Sequence, residues 1–137
     1  MITVVIPAYK VKKQILEVIS QIGSEVHRIY VVDDACPESS GKYVSENCKD
    51  ERVKVLFHNE NLGVGGAMVT GFRQCIQDSA SIVVKLDGDG QMDPRLISKF
   101  IKPLQDGVAD YTKGNRFFFL ESLQSMPLIR LAGNAVL

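Results

Sequence analysis

What the sequence lacks narrows it first. There is no surplus of charge: 16 Lys plus Arg balance 16 Asp plus Glu over 137 residues. No global field draws in nucleic acid or an anionic lipid surface, so any anion recognition has to be local. Cysteine is sparse, and Cys36, Cys48 and Cys75 form no CxxC pair. An odd count without metal-ligand spacing points to reduced thiols and a cytoplasmic setting. No stretch approaches the roughly 20 apolar residues that a membrane span needs. The opening MITVVIPAYK has no basic leader, and its apolar run is short and β-branched, unlike a signal peptide. No repeat or low-complexity segment occurs. Glycine is missing from PAYKVKK, the turn after the first apolar run. That excludes the usual dinucleotide-binding fingerprint at that place.

What is present is a soluble, single-domain composition, 45% apolar and 23% charged. Ile2–Ile6 is a β-branched run stopped by Pro7, and it predicts a buried strand. Lys12 to Ile22 carries Ile15, Leu16, Ile19 and Ile22 at helical spacing, closed by Gly23. His27–Asp33 predicts a second strand, Ser39–Asn47 a helix and Val53–Phe57 a third strand. Val64–Gln77 predicts a helix packed through Ala67, Met68, Phe72 and Ile76, and Ser81–Leu86 a fourth strand. Asp93 N-caps a helix that has Pro94 at its first position and runs to about Gln105. Ala109–Thr112 predicts a short fifth strand. The alternation argues a three-layer α/β/α domain with a mostly parallel sheet and right-handed crossovers.

In such sheets ligands sit beyond the carboxyl ends of the strands. Those ends hold Pro7-Ala8-Tyr9, Asp33-Asp34, His58-Asn59-Glu60-Asn61 and Asp87-Gly88-Asp89. A strand period of two puts Asp87 and Asp89 on one side. Two such close carboxylates repel unless a cation lies between them. Mg²⁺ or Mn²⁺ suits their oxygens, and Mg²⁺ is often held by one or two carboxylates plus substrate phosphates. The motif therefore points to a metal–nucleotide complex, against the plainer reading of an Asp-Gly turn with solvated carboxylates.

Rival readings differ in strength. An EF-hand loop starting at Asp87 fails, because Met92 and Ser98 stand where Gly and Glu are needed. A phosphatase of the haloacid dehalogenase type also uses DxD after a strand, but near the chain start and with Thr or Val following; here Gln91 follows, late in the chain. Asp33 and Asp34 suit a ribose hydroxyl or base N–H, or equally a helix cap or a turn across Cys36-Pro37. Asn61 with Gly63, Gly65 and Gly66 closes a loop over a flat base or only turns into the next helix. His27 and His58 have no Ser or Cys nucleophile beside them, which argues against catalysis. Lys113 and Arg116 suit phosphate neutralisation or a solvated turn. Arg130 sits in an apolar context where it snorkels or binds.

Four motifs together resemble the family 2 glycosyltransferases of GT-A fold, in the dolichyl-phosphate mannosyltransferase-like branch. VVIPAYK is similar to the family's V-I-P-A-Y-N, and VVDDACPES to V-V-D-D-G-S. NENLGVGGAMVTGF resembles N-x-G-x-x-x-A-x-N-x-G, and KLDGDGQMDP the D-x-D-x-Q-x-x-P metal motif. Order and spacing agree over roughly residues 2–115. Lys10 stands where Asn is usual, and Ala35-Cys36 replaces Gly-Ser.

The resemblance implies a nucleotide pocket of Pro7, Ala8, Tyr9, Asp33, Asp34, Asn61, Gly65 and Asp87. It implies Mg²⁺ or Mn²⁺ on Asp87, Asp89 and Gln91, and a catalytic set of Asp89, Arg116 and Arg130, the arginines facing donor and acceptor phosphates. The reaction implied is inverting transfer from a nucleotide-diphosphate sugar to a lipid-phosphate or glycan acceptor. The competing functions are a nucleotide-binding half-domain without catalysis and a phosphatase-like hydrolase. The final apolar stretch, FFFLESLQSMPLIRLAGNAVL, predicts the N-terminal portion of a longer protein. It also predicts membrane association at the cytoplasmic face only through a region not present, and self-association, as a homodimer, through exposed apolar surface.

Overall fold

The chain was analysed as a computed structural model that describes residues 1–114. Arg116, Arg130 and the final apolar stretch lie outside the described residues. Four strands, β1 (Ile2–Ala8), β2 (Arg28–Asp33), β3 (Val53–Phe57) and β4 (Ile82–Lys85), form one parallel sheet in the order β3-β2-β1-β4. Between and after them run α1 (Ile15–Ser20), α2 (Ser40–Asn47), α3 (Gly63–Gln77) and α4 (Ile97–Gln105).

The two central strands are buried along nearly their whole length, which is why they read as solid apolar runs; the outer strands β3 and β4 are only partly covered. One face of the sheet packs Val4, Ile6, Ile29 and Val31 against Ile15 and Ile19 of α1, Val44 of α2 and Ile97 and Ile101 of α4. The other packs Val5, Tyr30 and Val32 against α3 alone. This is the expected three-layer arrangement.

Several boundaries differ from the sequence reading. β1 runs through Pro7 to Ala8 instead of stopping at Ile6. Its pairing with β4 ends at Val5–Lys85, with Leu86 N–H still donating to Val5 O, while pairing with β2 continues to Ala8–Asp33. The nitrogen of Pro7 faces the β4 side, where the ladder has already ended, so its missing N–H leaves nothing unpaired. α1 ends at Ser20, before Gly23, which is not in the left-handed region.

α3 buries Ala67, Met68, Gly71 and Cys75; Phe72 and Ile76, expected inside, are 42% and 76% exposed. Gly71 is the cause. A Cβ there would collide with the Val5 side chain, so the helix lies on the sheet through its small residues and turns the large ones out. The fifth strand, Ala109–Thr112, does not form among the described residues. Ala109 N–H turns back to Pro103 O and the Thr112 hydroxyl donates to Phe100 O, closing the segment onto α4. The predicted cap does form: Asp93 accepts from Arg95 N–H and Pro94 opens a 3₁₀ turn leading into α4.

Candidate functional site

The strand order sets the site. β1 is flanked by β2 on one side and β4 on the other, so the turn Pro7–Tyr9 lies between the acidic ends of both. With neighbouring strands about 4.8 Å apart, the ends of β2 and β4 are about 10 Å from one another, the reach of a nucleoside diphosphate.

The backbone here is unusual. Lys10, Ala35 and Ser39 take positive φ of 58°, 50° and 54°, all in the loops that leave β1 and β2. Left-handed non-glycine residues cost about 1–3 kcal/mol each and collect at functional sites. The two loops are tied together: Lys10 N–H donates to Cys36 Sγ at 3.1 Å and Val11 N–H to Ser40 Oγ at 3.2 Å. Burial pushes the Cys36 thiol up, but its bonds to Ser40 and the Lys10 N–H outweigh this and hold it below the usual range. Cys36, Cys48 and Cys75 are all unpaired thiols.

Asp33 and Asp34 are both buried, at 4% and 3% exposure, and divide the work. Asp33 accepts from Cys36 N–H at 2.8 Å and from Gly41 N–H at 2.5 Å. It therefore caps α2 from the end of β2, because Ser39, left-handed, makes no cap bond of its own. Asp34 Oδ1 accepts from Leu62 N–H at 2.8 Å and lies 2.7 Å from His58 Nδ1. Its own N–H donates to Ala8 O at 3.2 Å. Burial would raise the Asp34 carboxyl, yet bonds from Leu62 N–H, His58 and Gly63 N–H hold it below the usual value of 3.8. Asn61 Oδ1 accepts from Gly63 N–H, an Asx turn into α3, and Gly65 faces open space. Ala8 is buried, while Tyr9 is 43% exposed with the Lys10 ammonium 5.4 Å from its ring centre.

The motif lies in the loop after β4, beyond the strand itself. The strand ends at Lys85, and Gly88 and Gly90 (φ 79°) turn the chain. A Cβ on Gly88 would press on Ile6 and Val11, so the loop is anchored against the core. Asp87 pairs with Lys85 Nζ at 2.7 Å. Asp89 instead accepts from Gln91 N–H at 3.0 Å and, with Gln91, lines a cleft of about 380 Å³ opposite Glu17 and Val18 of α1 and its flanking residues Gln14 and Gln21. The two carboxylates thus meet different neighbours, and Asp34 is not among the residues lining that cleft. Among the described residues no group of three His, Cys, Asp or Glu forms a metal cage. What remains fits an ion that comes with its own phosphates: hard oxygens from one or two carboxylates suffice for Mg²⁺.

The strand-end rule places His58 directly after β3; it does not reveal that the ring bonds to Asp34 and Thr70. Sequence reasoning missed Ser40 and Thr70, whose hydroxyls complete bonds that cross between elements.

Comparison with known proteins identifies the family and the fold. The family model for glycosyl transferase family 2 matches residues 3–132. A UDP-N-acetylglucosamine–dolichyl-phosphate N-acetylglucosaminyltransferase of Methanococcus voltae is 30% identical, aligned over 98% of this chain and 59% of its own. A dolichol-phosphate mannosyltransferase of Pyrococcus furiosus is 27% identical over 94% of this chain and 37% of its own. This chain therefore spans about half, or less, of the length of these relatives. A solved structure of the Pyrobaculum calidifontis mannosyltransferase PcManGT, in complex with GDP-Man and Mn²⁺, superposes with a TM-score of 0.65 at 22% identity, covering 89% of this chain and 38% of that one. The fold is GT-A, and the chain belongs to glycosyl transferase family 2.

Proposed function

We propose that this chain is the donor-binding part of an enzyme that transfers a sugar from a nucleoside-diphosphate sugar to a lipid phosphate, with inversion and with Mg²⁺ or Mn²⁺. The observation that carries the reading is the strand order, which sets Asp34 and the Asp87–Asp89 loop on either side of the Pro7–Tyr9 turn. Two of the relatives are named as a dolichyl-phosphate and a dolichol-phosphate transferase, which supports the lipid phosphate over a glycan.

The exposed Tyr9 ring offers a flat face for a base, and the Asp34 end of β2 is the acceptor-rich wall beside it. Gly65 leaves open space at the start of α3 where a ligand can approach the backbone. Asp89 and Gln91, with Asp87, would hold the divalent ion on the diphosphate. Bound there, such an ion acts as a Lewis acid that stabilises the departing diphosphate. Lys85, partly exposed beside Asp87, adds a positive charge on the same lip for phosphate. Arg116 and Arg130 belong to the proposal as residues facing the phosphates. A phosphate acceptor carries its own nucleophilic oxygen, so the acceptor side needs no general base.

The test is transfer by the full-length protein. UDP- and GDP-sugars are offered with a short polyprenyl phosphate, with and without chelator, and the glycolipid is read by mass spectrometry and its anomeric configuration by NMR. Product of inverted configuration, lost on chelation, is expected. Nucleotide binding without product from any donor would leave the chain a binding module.

A further inference from the structure

At the carboxyl edge, three side chains from three elements form a chain of hydrogen bonds. His58 Nδ1 is 2.7 Å from Asp34 Oδ1, and His58 Nε2 is 2.8 Å from Thr70 Oγ1. Asp34 follows β2, His58 follows β3 and Thr70 lies in α3. The His58 and Asp34 side chains are only 8% and 4% exposed. Buried polar atoms need partners, and here each ring nitrogen has one.

The proton positions follow. A carboxylate only accepts, so the ring nitrogen facing Asp34 must carry the hydrogen. In the neutral ring the other nitrogen is then an acceptor, and the Thr70 hydroxyl donates to it. Asp34 thus selects the tautomer, and the Thr70 hydroxyl, able to donate or accept, aligns the ring from its other side.

Carboxylate, imidazole and hydroxyl in this order resemble a hydrolase relay, but the structure argues against that use. Thr70 sits eight positions into the 15-residue α3, and the imidazole that would activate it is walled in. The relay instead points the other way, toward Asp34. Asp34 is a hub: its N–H holds the end of β1 at Ala8, and its carboxylate holds the Leu62 N–H at the start of α3.

We propose that His58, aligned by Thr70, is a positioning residue that fixes Asp34 and the turn into α3 as one wall of the nucleotide pocket. This rests on the donor-binding reading of the sheet edge given above.

The test combines a spectroscopic and a binding readout. In ¹⁵N-histidine NMR of the chain, His58 should be protonated at Nδ1 and bare at Nε2; the opposite tautomer overturns the proposal. Binding of UDP and of GDP with Mn²⁺ is then measured by calorimetry at a temperature where every variant is folded. His58→Leu should weaken binding about tenfold, the loss of a bond to a charged group. His58→Asn, whose amide nitrogen falls where Nδ1 was, should recover to within about threefold of wild type. His58→Gln, whose amide falls where Nε2 was, should not. Thr70→Val should weaken binding and Thr70→Ser should not.

If His58→Leu does not fold, the order of Asn over Gln and the tautomer still decide. Wild-type affinity in both His58→Gln and Thr70→Val overturns the proposal alone. A wild-type chain that binds neither nucleotide overturns the donor reading, and this proposal with it.

Discussion

Lys85 and Asp87, two residues apart at the end of β4, form an ion pair of 2.7 Å. The motif read from sequence as a bare pair of carboxylates therefore has one member already neutralised by the chain. Both partners are partly exposed, so the pair is worth no more than about 1 kcal/mol. Replacing the cation should strengthen the attraction for a free divalent ion. Lys85→Gln is expected to tighten the apparent affinity for Mn²⁺ alone by up to about fivefold, read from a thermal-shift titration. An unchanged titration would mean that Asp87 does not see the ion.

Asp34 makes a prediction in pH. Its carboxyl is held below 3.8 in the folded chain, so its contribution is fully present above that value. It is lost as the pH falls through the lower folded value, because protonation then opposes the bonds from Leu62 N–H and His58. Asp34→Asn should cost about 1–3 kcal/mol near pH 6. The gap to wild type should narrow in urea unfolding as the pH falls below 3.8, where it begins to close. A gap that stays constant with pH would show that the ionised form is not what the fold uses.

Two glycines in α3 separate packing from binding. Gly71→Ala drives a Cβ into Val5 and should destabilise by about 1–3 kcal/mol. Gly65→Ala meets nothing and removes backbone entropy, so it should stabilise by about 0.5–1 kcal/mol. If Gly65 lies under the nucleotide, the same variant should lose affinity for UDP or GDP while gaining stability. Unchanged affinity would remove Gly65 from the pocket.

Two of the three departures from the family pattern, Lys10 for Asn and Ala35 for Gly, fall on left-handed backbone, φ 58° and 50°. Asn and Gly adopt that conformation more easily than Lys and Ala. Ala35→Gly is expected to raise stability by about 1 kcal/mol, and Lys10→Asn by less, measured by chemical denaturation. A fall in stability for Ala35→Gly would mean that the left-handed turn is not strained.

How much of this was legible depended on where a residue's partners lie. The strands were legible because β-branched runs bounded by Pro, Asp and Gly carry their own signal, and the cap at Asp93-Pro94 is local. The carboxyl-edge rule gathered Tyr9, Asp34, His58 and Asp87 from the order of elements alone. The face of α3 was misjudged because periodicity counts apolar residues, whereas Gly71 set the contact. The strand proposed for Ala109–Thr112 had the right composition, but its backbone bonds went to α4. The partners of His58 were not legible because they stand 24 and 12 residues away, beyond any local pattern. The different neighbours of Asp87 and Asp89 were not legible, because a period of two describes a strand and β4 stops at Lys85.

The central claim is that the Asp87–Asp89 loop and a diphosphate share one divalent ion. Thermal unfolding of the chain with UDP or GDP, with Mn²⁺, and with both tests this most directly. The account predicts that nucleotide and ion together raise the melting temperature by more than the sum of their separate effects, and that Asp89→Ala erases the excess. Strictly additive shifts, or an excess that survives Asp89→Ala, would contradict it.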